Sequence, residues 1–139
     1  MNAFDTDILS ELLFHNVVYT QRAALIPAAT QVVPVVALEE VLRGRLDAIR
    51  RAQAGRIRLS LERAYDLFRD ALEDTRQYRI LPYTAVADAL FRQWRAAKIR
   101  VGTNDLRIAA ICTVHGATLA TRNARDYARI PGLTFDVWN

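Results

Sequence analysis

Short apolar runs alternate along the chain with stretches in which apolar residues recur at helical spacing. The apolar and β-branched runs predict strands at 2–5, 31–36, 79–81, 118–121 and 133–137. Strands that alternate with helices are typical of an α/β domain, in which right-handed crossovers join parallel neighbours. The pattern therefore predicts a mostly parallel sheet of roughly five strands.

The stretches between these strands predict helices of unequal length. The two longest, at 37–54 and 61–78, are expected to pair as a helical hairpin, with Glu39 and Glu40 in the first turn of the earlier one. Further helices are predicted at 8–13, 19–26, 84–98, 105–114 and 123–129. Asp105 thus opens a strongly apolar helix that ends at Gly116.

Composition indicates one globular domain spanning 1–139. The chain has 139 residues, of which 52% are hydrophobic and 24% charged, and it has a single cysteine. A chain of this size buries enough surface to fold without disulfides or a structural metal. No apolar run reaches the roughly 20 residues needed to cross a bilayer, and the first residues are acidic where a signal peptide would be basic. We expect a cytoplasmic protein with no membrane segment.

The basic residues are almost all arginine. The net charge is +4, and Lys98 is the one lysine among 19 basic residues. Guanidinium groups pair bidentately with phosphate and stack on bases, so this bias hints at a polyanionic partner. A basic, soluble surface of no particular function fits the same composition equally well.

Three acidic residues are predicted at one edge of the sheet. Asp5 ends the first strand, Glu40 follows the second, and Asp105 precedes a later one. Ligand sites of open α/β sheets lie outside the carboxyl ends of the strands. Each acid alone would also suit the N-terminus of a helix. Brought together, they would repel unless protonated or neutralised by a cation, and oxygen ligands without His or Cys suit Mg²⁺ or Mn²⁺.

Five segments resemble the successive motifs of one known family. They read FDTDILSEL at 4–12, LEEVLRG at 38–44, NDLRIAA at 104–110, LATRN at 119–123, and DY followed by IPGL at 126–133. In this order and spacing they are similar to PIN-domain ribonucleases, specifically the VapC-type toxins of prokaryotic toxin–antitoxin pairs. No single segment is specific to that family, but together they span nearly the whole chain.

The resemblance implies a fold, an activity and partners. The fold would be three-layered and PIN-like, with helices on both faces of the sheet. The activity would be metal-dependent cleavage of RNA, by a protein that is often a homodimer and is neutralised by a small antitoxin protein. The acidic positions of the family carry over onto Asp5, Glu40 and Asp105.

This sequence departs from the family pattern at several positions. The fourth acid of some members is replaced by Asn123, Asp7 stands where many have asparagine, and Pro34 and Ala37 stand where hydroxyl residues are usual. Asp7 and Asp126 are the possible substitutes for the fourth acid. We expect Asp7 to act on the metal through water, Asn123 to orient water and Asp126 to lie on a helix surface. Thr6 and Thr121 would hydrogen-bond the carboxylates or water.

Four arginines close in sequence to these acids are candidates for holding the RNA backbone: Arg43, Arg107, Arg122 and Arg125. For each one, a solvated position on a helix face is an equally good interpretation.

Two other functions remain open at this stage. Asp5 and Asp7 resemble the Asp-x-Asp of haloacid-dehalogenase-type phosphatases, but the paired acidic motif of that class is missing after Lys98. A PIN-like fold could also serve as a non-catalytic protein-binding module. Loss of the acids would favour that interpretation, but Asp5, Glu40 and Asp105 are all present.

Overall fold

Five short strands form one parallel sheet at the centre of the molecule. The structure is a computed structural model that describes all 139 residues. The strands occur in the order β3-β2-β1-β4-β5, and every neighbouring pair is parallel. They are β1 (Asn2–Phe4), β2 (Gln31–Pro34), β3 (Arg79–Leu81), β4 (Thr118–Thr121) and β5 (Phe135–Val137). The predicted five-stranded sheet is confirmed, and it is wholly parallel.

Seven helices connect and cover the strands. They are α1 (Thr6–Leu13), α2 (Val17–Ala23), α3 (Val35–Gln53), α4 (Leu61–Asp74), α5 (Ala85–Ala96), α6 (Thr103–His115) and α7 (Ala124–Tyr127). Successive residues of the central strands, such as Ala3 and Phe4 or Val32 and Val33, are all almost fully buried. Because successive side chains point to opposite faces of a sheet, both faces are covered.

The chain reverses its direction of travel across the sheet at β1. From β1 it moves through β2 to β3 at one edge, then crosses to β4 and β5 on the other side. The paired residues Phe4 and Ala120 are the last, or next to last, of their strands, and the Asp5 amide donates to the Ala120 carbonyl at 3.0 Å. The carboxyl ends of β1 and β4 therefore meet, which is where this class of sheet places its site.

The second strand is shorter than predicted, and α3 correspondingly begins earlier. Pro34 ends β2 and adopts φ −61°, ψ 135°, and Val35 is already helical. The β-branched residues at 35 and 36 favour a strand locally, but here they belong to the amphipathic helix that packs on the core. Glu39 and Glu40 are thus the fifth and sixth residues of α3, and the prediction that they lie in its first turn is wrong.

Other helix boundaries also differ from prediction. α4 ends at Asp74 rather than at Tyr78, and a short 3-10 turn (Thr75–Gln77) then leads into β3. Within this turn, the Thr75 hydroxyl donates to the Ala71 carbonyl of α4 at 2.8 Å. α6 begins at Thr103 after Gly102, so Asp105 is its third residue rather than its first. Gly116 ends α6 as predicted, with φ 67°. The predicted hairpin is present, as α3 packs against α4.

No helix of the protein combines the length and apolar character needed to span a membrane. Several large apolar side chains nevertheless face outward on the hairpin and near α2. They include Leu46, Leu61, Tyr65 and Leu72 on α3 and α4, and Val17, Val18 and Leu25 around α2.

Candidate active site

Asp5 is held at the end of β1 by groups from three other elements. It caps α1, its Oδ1 accepting from the Thr6 amide at 2.9 Å. The Thr121 hydroxyl at the end of β4 donates to Oδ2 at 2.7 Å, and the Tyr127 hydroxyl of α7 donates to Oδ1 at 3.2 Å. The residue is only 6% exposed. Burial raises the pKa of this carboxyl, and its hydrogen bonds oppose that rise.

Glu40 and Asp5 both accept hydrogen bonds from the same residue, Thr6. The hydroxyl of Thr6, the residue after Asp5, donates to Glu40 Oε1 at 2.7 Å. Thr6, the first residue of α1, thus donates its backbone amide to Asp5 and its side-chain hydroxyl to Glu40. This pair of bonds couples α3 to the end of β1.

Asp105 completes the acidic cluster from α6. Its pKa is raised to about 6, first because the carboxyl is partly buried, and then because Asp5 and Glu40 carry like charges nearby; Asp126 contributes in the same direction. The charges of Asp5 and Glu40 thus both act on Asp105, so the structure brings the three acids predicted from sequence into one region.

The cluster has no basic counter-charge. None of its three carboxylates forms an ion pair with an arginine, lysine or histidine. As the side chains stand, no group of three His, Cys, Asp or Glu residues is close enough to hold a metal ion. The donors are nevertheless all oxygens with uncompensated negative charge, which fits a hard divalent cation in kind, although the carboxylates would have to draw closer around it.

Asp7 and Arg122 form a separate, charge-compensated group at the rim. Arg122 lies 3.7 Å from Asp7 and 3.6 Å from Glu11, and it donates to the Tyr19 hydroxyl at 3.3 Å. Asp7 is well exposed and acts on Asp5 only through its charge, which raises the pKa of Asp5 slightly further. Arg122 is thus already paired with two carboxylates.

Asn123 occupies the position of the absent fourth acid and caps α7. Its Oδ1 accepts from the Asp126 amide at 3.4 Å, while its Nδ2 donates to Asp126 Oδ2 at 3.0 Å. The backbone amide of Asn123 donates to the Thr121 hydroxyl at 2.9 Å. The Asn123 amide group is therefore engaged within the protein, and Asp126 is the acid of this segment whose charge reaches Asp105.

The remaining candidate arginines differ in their surroundings. Arg43 pairs with Glu39 on the same helix. Arg107 packs against two aromatic rings, and Arg125 is exposed on α7 with no ion pair.

Sequence reasoning gave no role to Tyr127. Its side chain is fully buried, and burial together with the charges of Asp5 and Asp105 raises the pKa of the phenol, which keeps it a hydrogen-bond donor. The sequence offers one weak signal, a tyrosine six residues after the end of β4. Only the fold shows that its hydroxyl reaches Asp5.

Asp105→Asn should change how stability depends on pH in metal-free buffer. Because the folded pKa of about 6 exceeds the unfolded value of 3.8, native Asp105 disfavours folding progressively as pH rises between these values. We expect the variant to be more stable than the native protein at neutral pH, by about 1 kcal/mol after allowing for solvent screening of a partly exposed group. Below the unfolded pKa the gain should vanish. Urea unfolding across this range measures it, and Asp47→Asn on the exposed side of α3 is the control.

Tyr127→Phe should destabilise the protein by removing a donor from a buried carboxylate. The expected loss in the free energy of unfolding is about 1.5–3 kcal/mol, the range for hydrogen bonds to charged groups. Tyr65→Phe serves as the control, because Tyr65 is 55% exposed. Equal losses in the two variants would contradict the role assigned to the Tyr127 hydroxyl.

Several known proteins are similar to this chain in sequence or in fold. A curated relative, ribonuclease VapC1 of Rickettsia felis, is 37% identical over 54 residues, which are 39% of this chain and 37% of the relative. This chain therefore matches little more than a third of that relative's length.

Solved structures share the fold over nearly the whole chain. The VapBC2 complex of Rickettsia felis, bound to a DNA fragment from its promoter, superposes with a TM-score of 0.78 at 21% identity, covering 99% of this chain and 98% of the other. A toxin–antitoxin complex from Klebsiella pneumoniae gives 0.72 at 20% identity, with 100% and 97% covered. The sequence model of the PIN domain family matches residues 3–133 of this chain. With its parallel sheet and the acidic cluster at its carboxyl edge, the chain belongs to the PIN domain family.

Proposed function

We propose that the protein is a divalent-metal-dependent endoribonuclease that hydrolyses RNA phosphodiester bonds, and that it is the cytoplasmic toxin of a toxin–antitoxin pair. The observation that carries the proposal is the group of Asp5, Glu40 and Asp105, three carboxylates without a basic partner at the carboxyl edge of the sheet. Such an arrangement costs stability, so its persistence is best explained by a cation that it binds.

Asp5, Glu40 and Asp105 would hold Mg²⁺ or Mn²⁺. When bound, such an ion supplies an activated water for in-line attack and offsets the charge that builds on the phosphate oxygens. The chain's own part is to fix the ligands. Thr121 and Tyr127 orient Asp5, and Thr6 orients Glu40. Each of these donors binds the charged form of its carboxylate.

The fourth position of the proposed site belongs to the segment after β4. Asn123 and Asp126 hydrogen-bond each other, and the charge of Asp126 reaches Asp105. Asp126 is thus better placed than Asn123 to contribute charge. Asp7, paired with Arg122, would act only through water.

The four candidate arginines would contribute unequally to holding the RNA backbone. Arg125 is exposed and has no carboxylate partner, whereas Arg122 would have to exchange its contacts with Asp7 and Glu11 for phosphate. Arg43 shares its charge with Glu39. This leaves Arg107 and Arg125 as the guanidiniums freest to meet a phosphate.

The proposed partners are a small antitoxin and a second copy of the chain. The matched relative is named a ribonuclease, and structures of the same fold are toxin–antitoxin complexes. A cavity of about 410 Å³ opens along α3 between Val35, Leu38, Leu42 and Leu46. Leu46 is 42% exposed there. An apolar surface of this kind is typical of one that another chain covers.

Cleavage should require both the metal and the acidic cluster. We expect the purified protein to cut single-stranded RNA with Mg²⁺ or Mn²⁺ and to be inactive in EDTA. Asp5→Asn, Glu40→Gln and Asp105→Asn should each lower the rate by several orders of magnitude, since each removes a ligand. Asp47→Asn is the control, an exposed acid on the same helix as Glu40.

Thermal unfolding tests the metal site without relying on activity. Mn²⁺ should raise the melting temperature of the native protein and of Asp47→Asn but not that of Asp105→Asn, because only a ligand to the folded state shifts unfolding. Cleavage that persists in EDTA, or equal Mn²⁺ stabilisation of all three proteins, would refute metal dependence at these residues.

Self-association should depend on the exposed face of α3. The native protein is expected to sediment as a dimer at micromolar concentration, and Leu46→Glu to shift it toward the monomer, because the substitution places a charge in an apolar contact. Val86→Glu is the control, since Val86 is 65% exposed on α5. A native protein that is strictly monomeric would rule out the dimer. The antitoxin is tested separately, by co-expression of a neighbouring small open reading frame, which should relieve growth arrest.

A further inference from the structure

A second cavity adjoins the acidic cluster on the side of Arg107. It measures about 320 Å³ and lies between α3, the loop that follows β3, and the first turns of α6. Glu39 and Asn104 in its wall directly precede Glu40 and Asp105 in sequence, so the cavity opens next to the proposed metal site. The other lining residues are Val35, Val36, Arg43, Tyr83 and Arg107.

Arg107 is the unusual residue of this cavity. Its guanidinium carbon lies 4.8 Å from the centre of the Phe91 ring and 5.9 Å from that of Tyr83. Its Nε is buried and has no hydrogen-bond partner, and the residue forms no ion pair. A buried donor without an acceptor costs stability. The terminal nitrogens of this guanidinium are not among the buried atoms, so they can meet an acceptor that enters the cavity.

A neighbouring arginine, Arg95, has the hydrogen-bond acceptors that Arg107 lacks. Arg95 also lies near the Phe91 ring, 5.5 Å from its centre, and donates to the carbonyls of Ile99 and Val101 and to the Thr103 hydroxyl. Its guanidinium is used to hold the loop before α6. Arg107 sits near the same ring with no such acceptor.

The cavity is positive on balance, and it presents a fixed aromatic ring. Among the charged residues that line the cavity, Arg43 pairs with Glu39, which leaves Arg107 in excess. Asp88 lies outside the lining, where its charge acts on Arg107 while it pairs with Arg92. The Tyr83 hydroxyl donates to Asp88 Oδ1 at 2.8 Å, which holds the ring in place. A guanidinium beside an immobilised ring is a combination that binds a phosphate and a base together.

We infer that this cavity is a subsite for one unpaired nucleotide of the RNA, next to the bond that is cut, with its phosphate on Arg107 and its base against Tyr83. The inference rests on the proposed ribonuclease function and extends it. A volume of about 320 Å³ is at the lower end for ligand pockets and suits a single nucleotide. A paired base could not enter while stacked in a duplex, so the subsite selects single-stranded RNA.

Binding measured in EDTA separates this subsite from cleavage. The probe is a labelled single-stranded RNA of about eight nucleotides, a length within the usual range of single-strand sites, followed by fluorescence anisotropy. Arg107→Met keeps the aliphatic packing and removes the charge, and it should raise the Kd about 5- to 10-fold and lower the slope of log Kd against log salt by about one. Arg107→Lys should recover the salt slope but only part of the affinity.

The aromatic ring is tested in parallel. Tyr83→Leu should raise the Kd about 5-fold or more, as expected for one lost stacking contact, whereas Tyr83→Phe keeps the ring and should bind nearly as the native protein does. Arg79→Ala is the matched control, since Arg79 is an exposed arginine at the start of β3, whereas the cavity lies beyond the carboxyl end of that strand. With a double-stranded RNA of the same sequence, neither Arg107→Met nor Tyr83→Leu should alter the Kd.

The outcomes distinguish this inference from the function on which it rests. If the native protein cuts RNA but Arg107→Met and Tyr83→Leu bind single-stranded RNA as Arg79→Ala does, the subsite is refuted and the ribonuclease stands. If these two variants instead weaken only the complex with the antitoxin, the cavity is a protein contact and the inference is also refuted. If the native protein cuts no RNA with Mg²⁺ or Mn²⁺, the proposed function fails, and the subsite falls with it.

Discussion

The buried carboxylate of Asp5 is the constraint on which the rest of the site depends. It receives hydrogen bonds from the start of α1, from the end of β4 and from α7. The donors in β4 and α7 are more than a hundred residues away from Asp5 in sequence. Each bond to an ionised group is worth more than an ordinary hydrogen bond. Because β1 is the central strand, holding the residue that follows it in this way fixes the carboxyl edge of the sheet, near which the other acids lie.

The same cluster opposes the stability of the fold that presents it. Asp105 lies where burial and the charges of Asp5 and Glu40 raise its pKa to about 6, and the structure offers no arginine to relieve the repulsion. The chain has basic residues in excess, yet Arg122 is paired with Asp7 and Glu11 at the rim, and Arg43 with Glu39. Keeping guanidiniums out of the cluster preserves its charge for the proposed cation, at the expense of folding free energy.

The surroundings of the cluster divide into two kinds of surface. The side that includes Arg107 and Tyr83 is concave, and the charged residues of its lining sum to a positive charge, as a polyanionic substrate would require. The outer face of α3 is apolar around Leu42 and Leu46, as a protein partner would require. The two surfaces share Val35, Glu39 and Arg43, so a protein bound to one would lie at the mouth of the other. This proximity provides a simple steric route by which a bound protein could block RNA.

The sequence by itself determined the order of elements, the parallel sheet and the three acids. These follow from local information: apolar periodicity identifies strands and helices, and parallel strands bring their carboxyl ends to one edge. It misplaced boundaries where local preference and packing disagree, as at Val35, which favours a strand but begins α3. It gave no role to Tyr127, and it could not show that Asn123 caps α7 or that Arg107 has a buried nitrogen without an acceptor. Whether a tyrosine hydroxyl reaches a carboxylate, an asparagine caps a helix or a guanidinium lacks an acceptor depends on neighbours distant in sequence. Only the tertiary structure decides these contacts, because they form when separate elements pack.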